Sequence, residues 1–263
     1  MPELSRDGVR LAYERVGGGG RELVLVPGWC CDRTLFEPLL AHFQRSHTVT
    51  AVDPRWCTAG DARPPDGYDV TTLADDVVWL CRELGVVDPV VIGHSLGGMI
   101  GVELAARYPT LPAAIVALDP GPLYATPEAL RFFGGMADQL EGPDGAAVRE
   151  RYVRAMVDPH LEPRLAKQVV DVMCSVPLDV AAEVLRGTTT WNGLAAMGLC
   201  RAPLLVVLAR DGGGSNAPER LRPLNPTVRF GVTVGSGHFL QLEVPEQVIP
   251  MIERFLATAL PAT

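Results

Sequence analysis

Residues 89–100 read Pro-Val-Val-Ile-Gly-His-Ser-Leu-Gly-Gly-Met-Ile, and the fold follows from how that stretch must run. Positions 89–93 are a short apolar run bounded by proline and glycine, as expected of a strand buried on both faces. From Leu96 to Tyr108 the spacing is helical, with Pro109 as the stop. Gly93-His94-Ser95-Leu96-Gly97 therefore has to turn strand into helix within a few residues. A serine there is held at strained dihedrals, and the glycines beside it let neighbouring backbone approach without a Cβ clash. Its hydroxyl projects from the turn at a helix amino terminus, where negative charge is favoured. A small-residue turn that merely packs a helix on a sheet could share the spacing. Strand before and helix after favour a nucleophilic serine.

Outward from this turn, strand-like segments fall at 11–16, 22–26, 48–52, 113–118, 203–208 and 229–234. Amphipathic helices fall at 34–43, 72–84 and 246–259. The glycine run 17–20 lacks dinucleotide-loop spacing and is expected to turn a hairpin between the first two strands. Between 121 and 191 strand signals stop. Helical segments take over at 127–140 (capped by Thr126), 146–157, 162–174 and 178–185. Apolar strands alternating with helices predict an α/β fold with a mostly parallel sheet covered on both faces. Its core would comprise 1–121 and 192–263, with 122–191 a helical insertion over one edge. Ligands of such sheets sit beyond the carboxyl ends of the strands.

The chain has 263 residues, 48% hydrophobic and 21% charged, which excludes a disordered or fibrous protein. Twenty-three basic against thirty-one acidic residues give a net charge of −8, disfavouring nucleic-acid and membrane partners. No apolar run approaches the roughly 20 residues that span a bilayer. The amino terminus carries no secretory pattern. Cysteines 30, 31, 57, 81, 174 and 200 form no Cys-x-x-Cys pair and read as reduced thiols of a cytoplasmic protein. The five histidines lack zinc-ligand spacing, so no metal is expected.

A serine hydroxyl needs a base. His238, in Gly235-Ser236-Gly237-His238-Phe239, follows the last strand and precedes the last helix. His94 is expected to be turned from the crevice by the elbow. His42 and His47 belong to the first helix and its exit, and His160 to the insertion. The base in turn needs a carboxylate to orient it. Strand ends offer Asp53, Asp119 and Asp211. Asp53 is expected to brace the following turn through Arg55, and Glu243 comes after His238 in the chain.

Together these pieces resemble the α/β-hydrolase superfamily over essentially the whole chain. The resemblance rests on Val26-Pro27-Gly28-Trp29, Asp53-Pro54-Arg55, the elbow at 93–97, Ala105-Ala106-Arg107-Tyr108-Pro109 and Gly235-Ser236-Gly237-His238. It implies an eight-stranded, mostly parallel sheet with a helical lid, and an oxyanion hole formed by the N–H groups of Trp29 and Leu96. Pro27 stands where many members have histidine. Trp56-Cys57-Thr58-Ala59-Gly60 replaces a common Gly-x-Gly-x-Ser turn, which is expected to alter the pocket wall through Trp56 and Cys57. Asp211 is at the superfamily's commonest acid position, but the segment is short there and runs into Gly212-Gly213-Gly214. Asp119, in Leu118-Asp119-Pro120-Gly121, is at the place used by a minority branch. Asp119 is favoured as the triad acid, with Asp211 the alternative.

The resemblance implies a serine hydrolase that cleaves a carboxylic ester or lactone of a small, hydrophobic molecule through an acyl-enzyme, without metal or cofactor, as a monomer or homodimer. Serine at the elbow argues against the aspartate chemistry of dehalogenases and epoxide hydrolases. Gly28 and His94 of the core are expected at the substrate, together with Leu130, Phe132, Phe133, Met136, Met156, Met173 and Trp191, although Met and aromatic spacing of this kind also describes plain packing. Two rivals remain: a cofactor-free perhydrolase/haloperoxidase or dioxygenase on the same fold, and a hydrolase-like small-molecule receptor.

Overall fold

Consecutive side chains of a strand point to opposite faces, and in the central strands of this chain both sets are apolar. A computed structural model, which describes residues 1–58, 64, 66–209 and 214–261, shows how both are buried. Strands β1 (Glu3–Arg6), β2 (Val9–Gly17), β3 (Glu22–Val26), β4 (Thr48–Asp53), β5 (Val90–His94), β6 (Ala114–Leu118), β7 (Leu204–Leu208) and β8 (Arg229–Val232) form one sheet. Their order is β1-β2-β4-β3-β5-β6-β7-β8. Every pairing from β4 to β8 is parallel, and β1 and β2 join antiparallel.

The helices are α1 (Glu37–Phe43), α2 (Val70–Glu83), α3 (Leu96–Arg107), α4 (Pro127–Leu140), α5 (Gly145–Met156), α6 (Pro163–Ser175), α7 (Leu178–Thr189), α8 (Gly193–Leu199), α9 (Pro218–Leu221), α10 (Leu240–Glu243) and α11 (Pro245–Ala259). Leu23, Leu25, Val90, Ile92 and Val116 bury one face of the sheet against Leu39 and Phe43 of α1 and Val248, Ile252 and Phe255 of α11. Val24, Val26, Val91 and Ile115 bury the other against Leu73 and Val77 of α2 and Ile100 and Leu104 of α3. Each such side chain contributes about 1.5–3 kcal/mol, so neither layer can be removed without exposing the strands.

The glycine run does not turn a hairpin. β4 lies between β2 and β3 and pairs with both, so residues 17–20 bridge across it. The hairpin is one strand earlier. Asp7 and Gly8, at φ 51° and 83°, join β1 to β2 as the two left-handed residues of a type I′ turn.

From β3 the chain passes to β4 on one side and then to β5 on the other. This reversal opens a crevice at the strands' carboxyl ends, where the segments after β3 and β5 carry Trp29 and Ser95. Between β6 and β7, α4 packs on α7 and α5 on α6, while α8 lies along α3. Thr126 Oγ1 caps α4 by accepting the Ala129 N–H at 3.2 Å. Among the described residues no helix is long and apolar enough to cross a membrane, and all six cysteines are free thiols.

Asp53 does not work through Arg55. It accepts the Arg33 N–H at 2.9 Å and pairs with the Arg33 guanidinium. Arg55 is committed elsewhere: its Nε and Nη2 donate to Asp76 of α2 at 2.6 and 2.7 Å, and its Nη1 to the Gly67 carbonyl at 2.8 Å. The Arg55 and Asp76 side chains are only 1% and 5% exposed. Arg55 also pairs with Asp66 at 2.6 Å, so it keeps a partner without Asp76, whereas removing Arg55 strands the buried Asp76 carboxylate. Arg55→Met is expected to lower the unfolding free energy by about 3–5 kcal/mol, read from the urea midpoint. An Arg55→Met/Asp76→Leu double substitution should be far milder.

Candidate active site

Ser95 sits at φ 53°, ψ −115° as the residue before α3, a conformation that costs a non-glycine residue about 1–3 kcal/mol. It is held from both sides. Its N–H donates to the Leu118 carbonyl at 2.9 Å, and its own carbonyl accepts from Gly98 at 3.0 Å and from Gly121 at 3.0 Å. A Cβ on Gly93 would lie 2.0 Å from the Gly97 carbonyl, and one on Gly97 would lie 2.0 Å from the Val26 carbonyl. Glycine is thus obligatory on both sides of the serine.

Asp119 leaves β6 with φ 38°. Its N–H donates to Val207 at 2.7 Å, and its Oδ1 accepts from Ala209 N–H at 3.0 Å. That anchoring aims Oδ2 at His238 Nδ1, 2.6 Å away. The alternative acid, Asp211, lies outside the described residues.

The His238 main chain is gripped at both ends. Its N–H donates to the Met156 carbonyl at the end of α5 at 2.9 Å, and its carbonyl accepts from His94 Nε2 at 2.9 Å. Glu243 of α10 ties the same two segments together, accepting from Gly237 N–H and, at 3.1 Å, from Asp158 N–H. Burial raises the Glu243 carboxyl pKa, and those two donors oppose the rise. On the other wall, the Gly28–Cys31 turn closes through Cys31 N–H to the Gly28 carbonyl at 3.0 Å. The Trp29 indole donates to the Ala181 carbonyl of α7 at 2.8 Å. Leu96 is the first residue of α3, whose leading N–H groups have no intrahelical acceptor.

These segments enclose a cavity of about 330 Å³ lined by Ser95, His238 and Trp29. Of the other expected residues, His94, Phe133, Met156 and Met173 also line it. Gly28 lies behind: a Cβ there would be 3.0 Å from Ser95 Cβ and 3.1 Å from His94 Nδ1. Four expected residues are not among the lining side chains. Leu130 and Phe132 are exposed on the outer part of α4, and Met136 is packed into the core. Trp191 is turned away by its indole bond to Glu103 Oε2, 2.8 Å long. Trp56 and Cys57 act one layer back, each donating to the carbonyl of Cys31, which does line the cavity.

Tyr152, Asn216 and Cys31 also line the cavity and had no local signal in the sequence. Asn216 accepts from Leu123 N–H at 2.8 Å and donates to the Pro120 carbonyl at 2.7 Å, pinning the segment after Asp119. Burial, reinforced by Asp32, pushes the Cys31 thiol well above its ordinary range, so it stays protonated.

The elbow does not turn His94 from the cavity wall: its fully buried ring packs against that of His238, centroids 4.6 Å apart and planes tilted by 50°. Burial first, and the neighbouring His238 second, hold its pKa well below the ordinary value. The folded protein therefore keeps His94 neutral, while the unfolded chain protonates it below a pKa of about 6.5. The associated stability is present above that pH and is lost as pH falls through it. Between pH 7.5 and 5.5 the wild type should lose more stability than His94→Gln, which keeps a donor but does not titrate. Urea unfolding at the two pH values measures the difference.

A chain with Ser95 and an Asp119-paired His238 lining one cavity has relatives among known proteins. The model of the alpha/beta hydrolase fold family matches residues 22–245. A 2-(acetamidomethylene)succinate hydrolase of Mesorhizobium japonicum is 36% identical over 116 residues, 44% of this chain and 41% of that protein. The chain thus spans less than half the length of this curated relative. A strigolactone esterase of Arabidopsis thaliana is 26% identical over 256 residues, covering 92% of this chain and 94% of its own. The crystal structure of an enol-lactonase from Burkholderia xenovorans superposes with a TM-score of 0.83 at 20% identity, over 97% of this chain and 100% of the other. With a family match spanning most of its length, the chain belongs to the alpha/beta hydrolase fold family.

Proposed function

We propose that the protein is a serine hydrolase that cleaves a carboxylic ester or lactone through an acyl-enzyme. The observation that carries this reading is the 2.6 Å contact between Asp119 Oδ2 and His238 Nδ1 on the wall of the cavity that Ser95 shares. Ser95 Oγ attacks the acyl carbon and its proton passes to His238 Nε2. Asp119 holds the Nδ1–H and stabilises the imidazolium. The tetrahedral oxyanion accepts hydrogen bonds from the N–H groups of Trp29 and Leu96, a pair worth several kcal/mol to the transition state. Collapse breaks the bond to the alcohol oxygen, which takes the proton back from His238. In a lactone that alcohol remains on the acyl chain. Water, deprotonated by His238, then attacks the acyl-enzyme, releasing the acid and restoring the serine. Helices α4 to α7 act as the lid. The names of the relatives, which include an esterase and an enol-lactonase, support this substrate class.

Fluorophosphonate labelling combined with ester and lactone panels tests the reading. Ser95→Ala should abolish labelling and lower kcat by about 10⁶-fold. Asp119→Asn should cost about 10⁴-fold, and Asp211→Asn far less. The reverse order would move the acid to position 211. Oxygen uptake without acid release would replace hydrolysis by dioxygenase chemistry, and saturable binding without repeated turnover would make the protein a receptor.

A further inference from the structure

Hydrogen-bond bookkeeping on the cavity wall leaves one group unused. His94 Nε2 is spent on the His238 carbonyl, and its Nδ1 is sealed from the cavity. The Asn216 amide is spent on Leu123, Pro120 and Gly121. The Cys31 thiol contacts the Trp29 carbonyl. Ser95 and His238 are taken by the proposed reaction. Tyr152 remains. It lies on α5 one turn before Met156, and its ring is wedged between Trp29, 6.1 Å away, and Phe132, 5.8 Å away. Its hydroxyl makes no hydrogen bond within the described protein. Burial raises its pKa with nothing opposing, so it stands as a neutral O–H donor. An apolar substrate filling the cavity would displace water from this hydroxyl, and leaving the O–H without an acceptor would then be costly. Among the described residues, no Arg, Lys, Asp or Glu lines the cavity.

Resting on the hydrolase reading, we propose that Tyr152 determines specificity by donating to an uncharged oxygen acceptor that the substrate carries away from its scissile carbonyl. The substrate class is thereby narrowed to neutral esters or lactones with an apolar body and a second oxygen function, such as a ketone, ether or amide carbonyl. A carboxylate in that position would enter a wall without a countercharge, whereas a neutral acceptor needs only the phenol.

p-Nitrophenyl hexanoate, its 4-oxo and 5-oxo analogues and the p-nitrophenyl half-ester of adipic acid test this. The wild type should favour at least one oxo ester over hexanoate by about tenfold in kcat/KM, the scale of one neutral hydrogen bond in a dry site. The adipate half-ester should be poorer than hexanoate. Tyr152→Phe removes only the oxygen and should erase the oxo preference. An oxo preference absent from the wild type, or one that survives Tyr152→Phe, overturns the proposal. So does a parallel fall for all the esters, which marks a packing role, or ready use of the half-ester. The same preference is read without turnover from the affinities of Ser95→Ala protein for methyl hexanoate and its oxo analogues, with and without Tyr152→Phe. Preference in binding without Ser95-dependent turnover of any ester would defeat the hydrolase reading and leave the Tyr152 assignment standing. Absence of preference in binding defeats the assignment itself.

Discussion

The backbone of Ser95, held at φ 53° and ψ −115°, is the constraint on which the rest of the site is built. A left-handed, non-glycine residue at such dihedrals persists only when its surroundings over-determine it. Here its N–H is bound to Leu118 and its carbonyl to the N–H groups of Gly98 and Gly121. Two of those contacts, at 118 and 121, bracket Asp119. The bonds that hold the serine in its strained form therefore also set where the chain leaves β6, and with it the carboxylate. Ser95 and Asp119 are fixed to each other through main chain, although they follow different strands.

Asp119 repeats the device. It too has a positive φ, and it is stabilised by Val207 of β7 and by Ala209 just beyond that strand. One carboxylate oxygen is used on the Ala209 N–H and the other faces His238, so the carboxylate cannot rotate without losing a bond. Preorganisation of this kind matters because a displacement of about 1 Å can cost 10²-fold in rate. His238, by contrast, sits on a loop after the last strand, and its position depends on partners from His94, Met156 and Glu243, the last acting through Gly237.

What could be read in the sequence follows from which constraints are local. The elbow was legible because its glycines and serine answer to sterics within five residues, and the parallel strands were legible because burial on both faces leaves no polar alternation. The places of Asp119 and His238 after strands are local features, but their contact depends on the fold, and nothing local in the sequence decides between Asp119 and Asp211. Strand order was not legible: the glycine run gives no sign that β4 will enter between β2 and β3, because that pairing joins segments distant in sequence. Within the helical insertion, periodicity marks an apolar face but not what it meets. Phe133 lines the cavity and the adjacent Phe132 is half exposed, a difference of about 100° around one helix.

The contacts between insertion and core separate two kinds of information. His238 is held by the Met156 carbonyl, Gly237 and Asp158 by a Glu243 that belongs to the core, and the Trp29 indole by the Ala181 carbonyl. From the insertion's side each of these contacts uses main chain. Side chains on α4 to α7 can therefore change without releasing the histidine loop or the turn carrying Trp29, provided the helices keep their backbone positions. Specificity can then reside in residues such as Phe133, Tyr152 and Met173, while the positions of Ser95, His238 and Asp119 depend on backbone geometry. A substitution that shifts the end of α5 should disturb His238 more than one that reshapes the cavity, because a hydrogen bond is sensitive to a few tenths of an ångström and apolar packing can adjust around a changed side chain.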